Sequence, residues 1–363
     1  MSGIIFNFNQ KNTCMNKRTF IKALGLTAGL SPMMALKSDV IASTIDSKAL
    51  LPKPLKRGDL VGLVSPSSAT NDEILFQFAQ ETLEALGFQV LRGKHLTDRY
   101  GHLAGRDEDR AGDINAMFAN EDIKAIICIR GGSGAARILP LLDYKTIRKN
   151  PKPILGYSDI TAIHNAIYAQ TGLITFHGPN GTGSWNSFNV NQFEQMFFDQ
   201  KLVRFENEQE KGDDLIVKKN RIQTITSGTV EGTIVGGNLT VLTGIAGSPY
   251  LPDFKDKILF LEDVGEDPYR VDRMMSTLML MGVFDKIKGF IFGQCSDCEP
   301  SGGYGSLTIW QILEDYIKPL DIPAYRGAMI GHVSKQFIVP IGANVKMDAD
   351  RGVFEMTEGI FQS

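Results

Sequence analysis

The chain has 363 residues, 43% hydrophobic and 22% charged, which fits a globular protein of about two domains. A formal net charge of −3 offers no basic stripe for nucleic acid. No stretch reaches the roughly 20 apolar residues of a membrane helix.

In chain order, "MNKRTFIKALGLTAGLSPMMAL" begins at Met15 with Lys17 and Arg18 and continues through a short apolar region from Ala23 to Leu36. That is the layout of an export signal. Lys17-Arg18-Thr19-Phe20-Ile21-Lys22 resembles a twin-arginine signal with Lys for the first Arg, and Val40-Ile41-Ala42 suits cleavage. The alternative is an amphipathic first helix. Residues before Met15 carry no signal character. The expectation is an exported, periplasmic protein with signal and linker over 1–54, and a cytoplasmic one as the alternative.

"LKRGDLVGLVSPSS" then predicts a strand ending in a Pro/Ser turn, and "DEILFQFAQETLEALG" a helix stopped at Gly87. "FQVLRG" reads as a strand and "RDEDRAGDINAMFAN" as a helix. "IKAIICIRGGSGAARILPLL" and "PKPILGYSDITAIHNAIYAQTG" each read as strand, turn and helix, and "LITFHGP" closes the series as a strand. Alternating strands and helices predict a parallel sheet covered on both faces, with ligands beyond the carboxyl ends of its strands. This N-terminal domain is expected over 55–185. Weak patterning and the charges of "ENEQEKGDD" mark an interdomain linker over 186–220. The C-terminal domain, over 221–363, is read as a smaller mixed one: Gly-rich and β-leaning at first, then strand, acidic loop, helix and strand, then short strands.

Cys128, inside "AIICI", reads as a buried small hydrophobe, and Cys14 falls outside the mature chain. Cys295 and Cys298 have the spacing of a redox pair or half a zinc site. No second pair and no nearby His completes four ligands, so zinc is not expected.

The turn Gly156-Tyr157-Ser158-Asp159 joins an apolar strand to a helix. Ser or Asp there is a good N-cap, and a serine on such a turn is also how several hydrolase folds present a nucleophile. A nucleophile needs a base, a group orienting that base, and oxyanion donors. Of five histidines, His95 and His102 lie in polar stretches, and His164 falls on another face of the helix after Ser158. His177 ends a strand and stays open as a cleft residue. His332 follows an apolar strand in a loop and suits a base best. Glu262 is the first polar residue after the buried run "KILFL", so a strand end fixes its position. Oxyanion donors come from the N–H of Asp159 and from Arg130-Gly131-Gly132-Ser133-Gly134, a turn that could equally cradle a phosphate. Ser133 is a competing nucleophile on that flexible turn.

Together "IRGGSGAARILPLLDY", "GYSDITA", "TFHGP", "GGNLTVL", "LFLEDVGEDPYRVDRM" and "GHVSKQFIVPIGA" resemble the LD-carboxypeptidases, the serine peptidase family that includes the microcin C immunity peptidases. The likeness runs from about Arg57 to Phe354. It implies Ser158 as nucleophile, His332 as base, Glu262 as its orienting acid, and Gly132 and Asp159 as oxyanion donors. It further implies a flavodoxin-like N-terminal domain with a swivelling C-terminal domain, a homodimer, and no metal or organic cofactor. The implied substrate is a murein tetrapeptide losing its terminal D-Ala. One departure is Ser133, where family members carry an aromatic residue. Two rivals follow. A microcin-type immunity peptidase acting on aminoacyl or peptidyl nucleotide amides would want an aromatic platform, for which Trp185 is the nearby candidate. A non-catalytic murein-peptide binding protein would have no need of all three triad positions.

Overall fold

The computed structural model describes residues 49–300 and 305–363. The proposed signal, up to residue 48, lies outside the described residues. No helix among them is long and apolar enough to cross a membrane.

Apolar runs build the first sheet from its middle outward. In chain order come β1 (Leu60–Val64), α1 (Ile74–Ala85), β2 (Gln89–Arg92), α2 (Asp107–Ala119) and β3 (Ile123–Cys128). They are followed by α3 (Tyr144–Lys149), β4 (Ile154–Gly156), α4 (Thr161–Thr171) and β5 (Thr175–His177). The five strands pair in parallel in the order β2-β1-β3-β4-β5. That is the flavodoxin-like 2-1-3-4-5 order. Both faces of β3 are buried. Ala125 and Ile127 face one apolar cluster with Leu83 and Phe176, while Ile126 and Cys128 face another with Phe118 and Ile163. This is why the strand reads as an unbroken apolar run instead of an alternating one.

One expected helix differs. The residues after the glycine turn, Ala135–Leu141, form a 3-10 segment with Pro140 inside it. Proline supplies no N–H and its ring crowds the preceding turn, so an α-helix does not propagate there.

The rest of the chain supplies α5 (Ser187–Phe193), β6 (Arg204–Phe205), β7 (Gln223–Thr226), β8 (Thr229–Asn238), α6 (Leu239–Gly244) and β9 (Lys257–Val264). Then come α7 (Pro268–Leu280), β10 (Gly289–Ser296), α8 (Ile309–Tyr316), β11 (Ala324–Arg326), β12 (Val339–Ile341), β13 (Asn344–Asp348) and β14 (Val353–Met356). A second sheet runs β6-β14-β13-β8-β9-β10-β11-β7, with β8 to β11 parallel and the outer strands antiparallel. The stretch 186–220 therefore carries structure of its own, since α5 packs into the core and β6 edges the second sheet. In the other direction, β12 leaves the C-terminal half and pairs antiparallel with β5, completing the first sheet. Both sheets belong to one unit, Ile45–Ser363.

Candidate active site

The chain passes from β4 into α4 through a single 3-10 turn, Ser158–Ile160. Ser158 has φ 64°, the left-handed region that a side chain with a Cβ adopts only at a cost. Neighbouring contacts hold it there. The Tyr157 N–H donates to Asn180 Oδ1 at 3.2 Å. Asp159 Oδ2 accepts from the Ser67 hydroxyl and, at 2.8 Å, from the Ala135 N–H. The acid of the turn thus clamps three segments together with its side chain. Its own N–H sits at a helix start, where backbone donors have no intrahelical partner.

The glycine turn lies directly against this serine. A Cβ on Gly131 would fall 2.8 Å from Ser158 Cβ and 3.1 Å from the Tyr157 carbonyl oxygen, so only glycine allows the approach. Gly132 rests against Ser68, whose hydroxyl accepts the Ser133 N–H at 2.9 Å. The turn is therefore pinned through its backbone, with the Ser133 side chain exposed.

Glu262, two residues before the end of β9, is fully buried, and its Oε2 lies 2.9 Å from His332 Nδ1. With the carboxylate accepting, Nδ1 carries the proton and Nε2 keeps its lone pair. Gly331, at φ 108°, makes this contact possible, because a Cβ there would come within 2.4 Å of Glu262 Oε2. From below, the Ser296 hydroxyl donates to the His332 carbonyl oxygen at 3.1 Å. Burial pulls the imidazole pKa down. The hydrogen bond and charge of Glu262, with the charge of Asp263, outweigh burial and leave the pKa above its ordinary value. Asp263 is itself pushed up to about 6, by burial and then by Glu262. Its carboxylate accepts from Asn238 Nδ2, the Thr240 N–H and hydroxyl, and the Val264 N–H.

The two halves meet through Tyr157. Its ring centroid lies 5.0 Å from that of His332, and its backbone leads into Ser158. Among the described residues no hydrogen bond yet joins the Ser158 hydroxyl to His332. Such bonds are often long in the absence of substrate and tighten in the complex. Ser158, Asp159, Gly132, Glu262 and His332 thus come from two sheets to one place. Tyr157 was missed by sequence reasoning, although its place beside the serine on a strand-to-helix turn was a signal that it lines the site.

The other histidines are accounted for. His164 is buried, bonded to the Gly156 carbonyl at 2.8 Å, and held down to about 4 by burial. His177 is also buried, edge-on to Tyr157 with ring centroids 6.2 Å apart. His95 lies between Asp98, at 2.8 Å, and Asp109, at 3.6 Å, and His102 is exposed. The three side chains His95, Asp98 and Asp109 are the one group among the described residues with the donor types and spacing to hold a metal ion, and they sit in an ion-pair network at the surface. Trp185 packs edge-on against Phe193 at 5.5 Å and donates its N–H to the Asn180 carbonyl, the bonding of a packing residue. Cys295 and Cys298 are joined to each other in a disulfide. Cys128 is buried and free.

Comparison with known proteins gives two family matches. Residues 61–178 match the LD-carboxypeptidase N-terminal domain, and residues 231–347 the LD-carboxypeptidase C-terminal domain. The chain is 38% identical to a probable murein peptide carboxypeptidase of Bacillus subtilis, over 82% of this chain and 91% of that protein. It is 30% identical to the murein tetrapeptide carboxypeptidase of Pseudomonas aeruginosa, over 80% and 94%. The microcin C7 self-immunity protein MccF of Escherichia coli is 32% identical, over 86% and 97%. A solved structure of MccF with glutamyl sulfamoyl guanosine superposes with TM-score 0.78, at 30% identity, over 86% of this chain and 100% of that one.

Proposed function

The chain belongs to the LD-carboxypeptidase family, and on that premise we propose that it releases the terminal D-Ala of murein tetrapeptide through Ser158, His332 and Glu262. The observation that carries this reading is the pairing of buried Glu262 with half-buried His332, 2.9 Å apart, meeting the strained Ser158 turn at the Tyr157 ring. His332 Nε2 takes the Ser158 proton as Oγ attacks the carbonyl of the L,D-amide. Backbone N–H groups of Gly132 and Asp159 receive the oxyanion, and Glu262 stabilises the imidazolium as it forms. Protonated His332 then gives its proton to the departing D-Ala amine. Water, deprotonated by the same imidazole, resolves the acyl-enzyme.

Incubating the full chain and Ser158→Ala with murein tetrapeptide, followed by mass spectrometry, tests the reading. Loss of one D-Ala by wild type and a fall of about 10^4-fold or more in the variant is expected. No release by either overturns the murein reading and turns attention to aminoacyl nucleotide amides, the chemistry of the microcin-type rival.

We further propose that the protein is exported. The Cys295–Cys298 disulfide supports this, since such bridges persist in oxidising compartments. The same reading divides the chain at 186–220 between a nucleophile-bearing domain and a domain carrying the acid and base. It also makes the enzyme a homodimer, which sedimentation of the purified protein tests directly.

A further inference from the structure

The first sheet has a second built edge. Opposite the Ser158 turn, at the amino ends of β3 and β4, lies a cavity of about 500 Å³. The six residues of β3, at roughly 3.3 Å each, put about 20 Å between the two edges. The cavity wall carries Lys53, Lys124, Arg148, Lys149 and Lys152 against one acid, Glu121.

Three features distinguish this group from ordinary surface lysines. First, among the described residues none of the five cations makes an ion pair. Cations elsewhere do find carboxylates, as Lys335 finds Glu208 at 2.7 Å and Arg137 finds Asp107 at 2.8 Å. Second, Lys152 is only 5% exposed, so an ammonium ion has been taken out of water at this wall. Burial, with the charges of Lys124 and Lys53, lowers its pKa to about 8 against the opposing pull of Glu121. The cations therefore act on one another. Third, two of the five are held in place, while Lys53, Arg148 and Lys149 are exposed. Lys152 Nζ donates to the carbonyls of Met117 at 3.0 Å and Asn120 at 2.7 Å, and Lys124 Nζ to that of Glu121 at 2.7 Å. Two of three ammonium donors on Lys152 are spent on this anchoring, and one is left.

Arg148 and Lys149 lie in the last turn of α3, where helix carbonyls favour positive charge. That accounts for two of the five. Lys152 and Lys124 likewise meet carbonyls at and just past the end of α2, those of Met117, Asn120 and Glu121. Among the described residues Lys53 is thus the cation with no helix end beside it, and the five converge on this one cavity from four segments. Five cations converging on one cavity against a single acid, two of them held by backbone carbonyls, suit a ligand bearing more than one negative charge. Point-charge lysines and one forked arginine match a tetrahedral phosphate better than a single carboxylate.

We propose that this cavity is a binding site for a small phosphate-bearing polyanion, separate from the catalytic edge. The test is calorimetric titration of the full chain with inorganic pyrophosphate, with sodium chloride of equal ionic strength as control. Lys124→Gln combined with Arg148→Gln is run alongside, after circular dichroism shows that the variant is folded. Saturable one-to-one binding by wild type, about tenfold or more weaker in the variant with D-Ala release unchanged, is the expected result. Sedimentation with phosphatidylcholine vesicles containing phosphatidic acid separates the sources. Vesicle binding lost in the variant makes the anion a lipid headgroup, and pyrophosphate binding without it makes the anion soluble. Absence of saturable binding to either probe, or equal binding by the variant, overturns the site.

Discussion

Two histidines flank one tyrosine ring, and they have opposite chemistry. His177, at the end of β5, and His332, in the loop after β11, lie 6.2 and 5.0 Å from Tyr157 between ring centroids. His177 is completely buried, and neither ring nitrogen has a partner among the described residues. Burial, and then the charges of His164 and His332, hold its pKa well below the ordinary imidazole value. His332 is also desolvated, yet its pKa is raised, because Glu262 hydrogen-bonds to it and opposes the loss of water. One carboxylate thus separates a neutral packing imidazole from one that can hold a proton during a reaction. Proximity to the serine turn does not make that distinction.

Removing the carboxylate should break the contrast most severely. Glu262→Gln is expected to lower kcat by about 10^3- to 10^4-fold at neutral pH, through loss of orientation and of imidazolium stabilisation. It also carries a sign. With His332 as the proposed base, active when unprotonated, wild-type kcat/KM is expected to fall as pH drops through a pKa above the ordinary 6.5. Without Glu262, burial acts with far less opposition. The acid limb should then move to lower pH while the plateau drops, and a limb that stays in place would count against Glu262 as the partner.

A smaller effect is expected on the other side of the ring. His177→Phe should leave the acid limb where it is and change kcat by less than about tenfold, because the residue packs edge-on and burial holds its pKa well below the ordinary imidazole value. If the limb followed His177, the assignment of His332 as base would fall. The smallest effect belongs to the support beneath His332. Replacing Cys295 and Cys298 together by Ser opens a loop of very few residues, worth about 2 kcal/mol at most in denaturant unfolding. The Ser296 hydroxyl that meets the His332 carbonyl should hold kcat within about threefold.

The contrast between the two histidines was only partly legible in the sequence. Ser158 was, because a strand-to-helix turn is a local feature and the apolar run before it sets the boundary. Glu262 was, because it is the first polar residue after "KILFL", although the strand runs two residues past it, through Asp263 to Val264. What His177 faces was not legible, since a strand end can be open or covered, and here the residue opposite it is Val339 of β12. The clamp made by the Asp159 side chain was hidden for a similar reason, as Ser67 and Ala135 come from turns after two other strands. The 3-10 segment after the glycine turn could have been read from Pro140, where periodicity alone suggested a helix. The disulfide between Cys295 and Cys298 follows from spacing only once the end of β10 is known to bring the two residues within reach.

The loop that carries His332 starts from β11 in the second sheet and ends in β12, the last strand of the first. Synthesis therefore makes the Ser158 turn more than a hundred and seventy residues before the last strand of its own sheet. On the proposed roles, a nascent chain that ends before residue 332 has the Ser158 turn but lacks the imidazole that would serve it. The strand that closes the first sheet beside β5 is thus also the far anchor of the loop bearing His332.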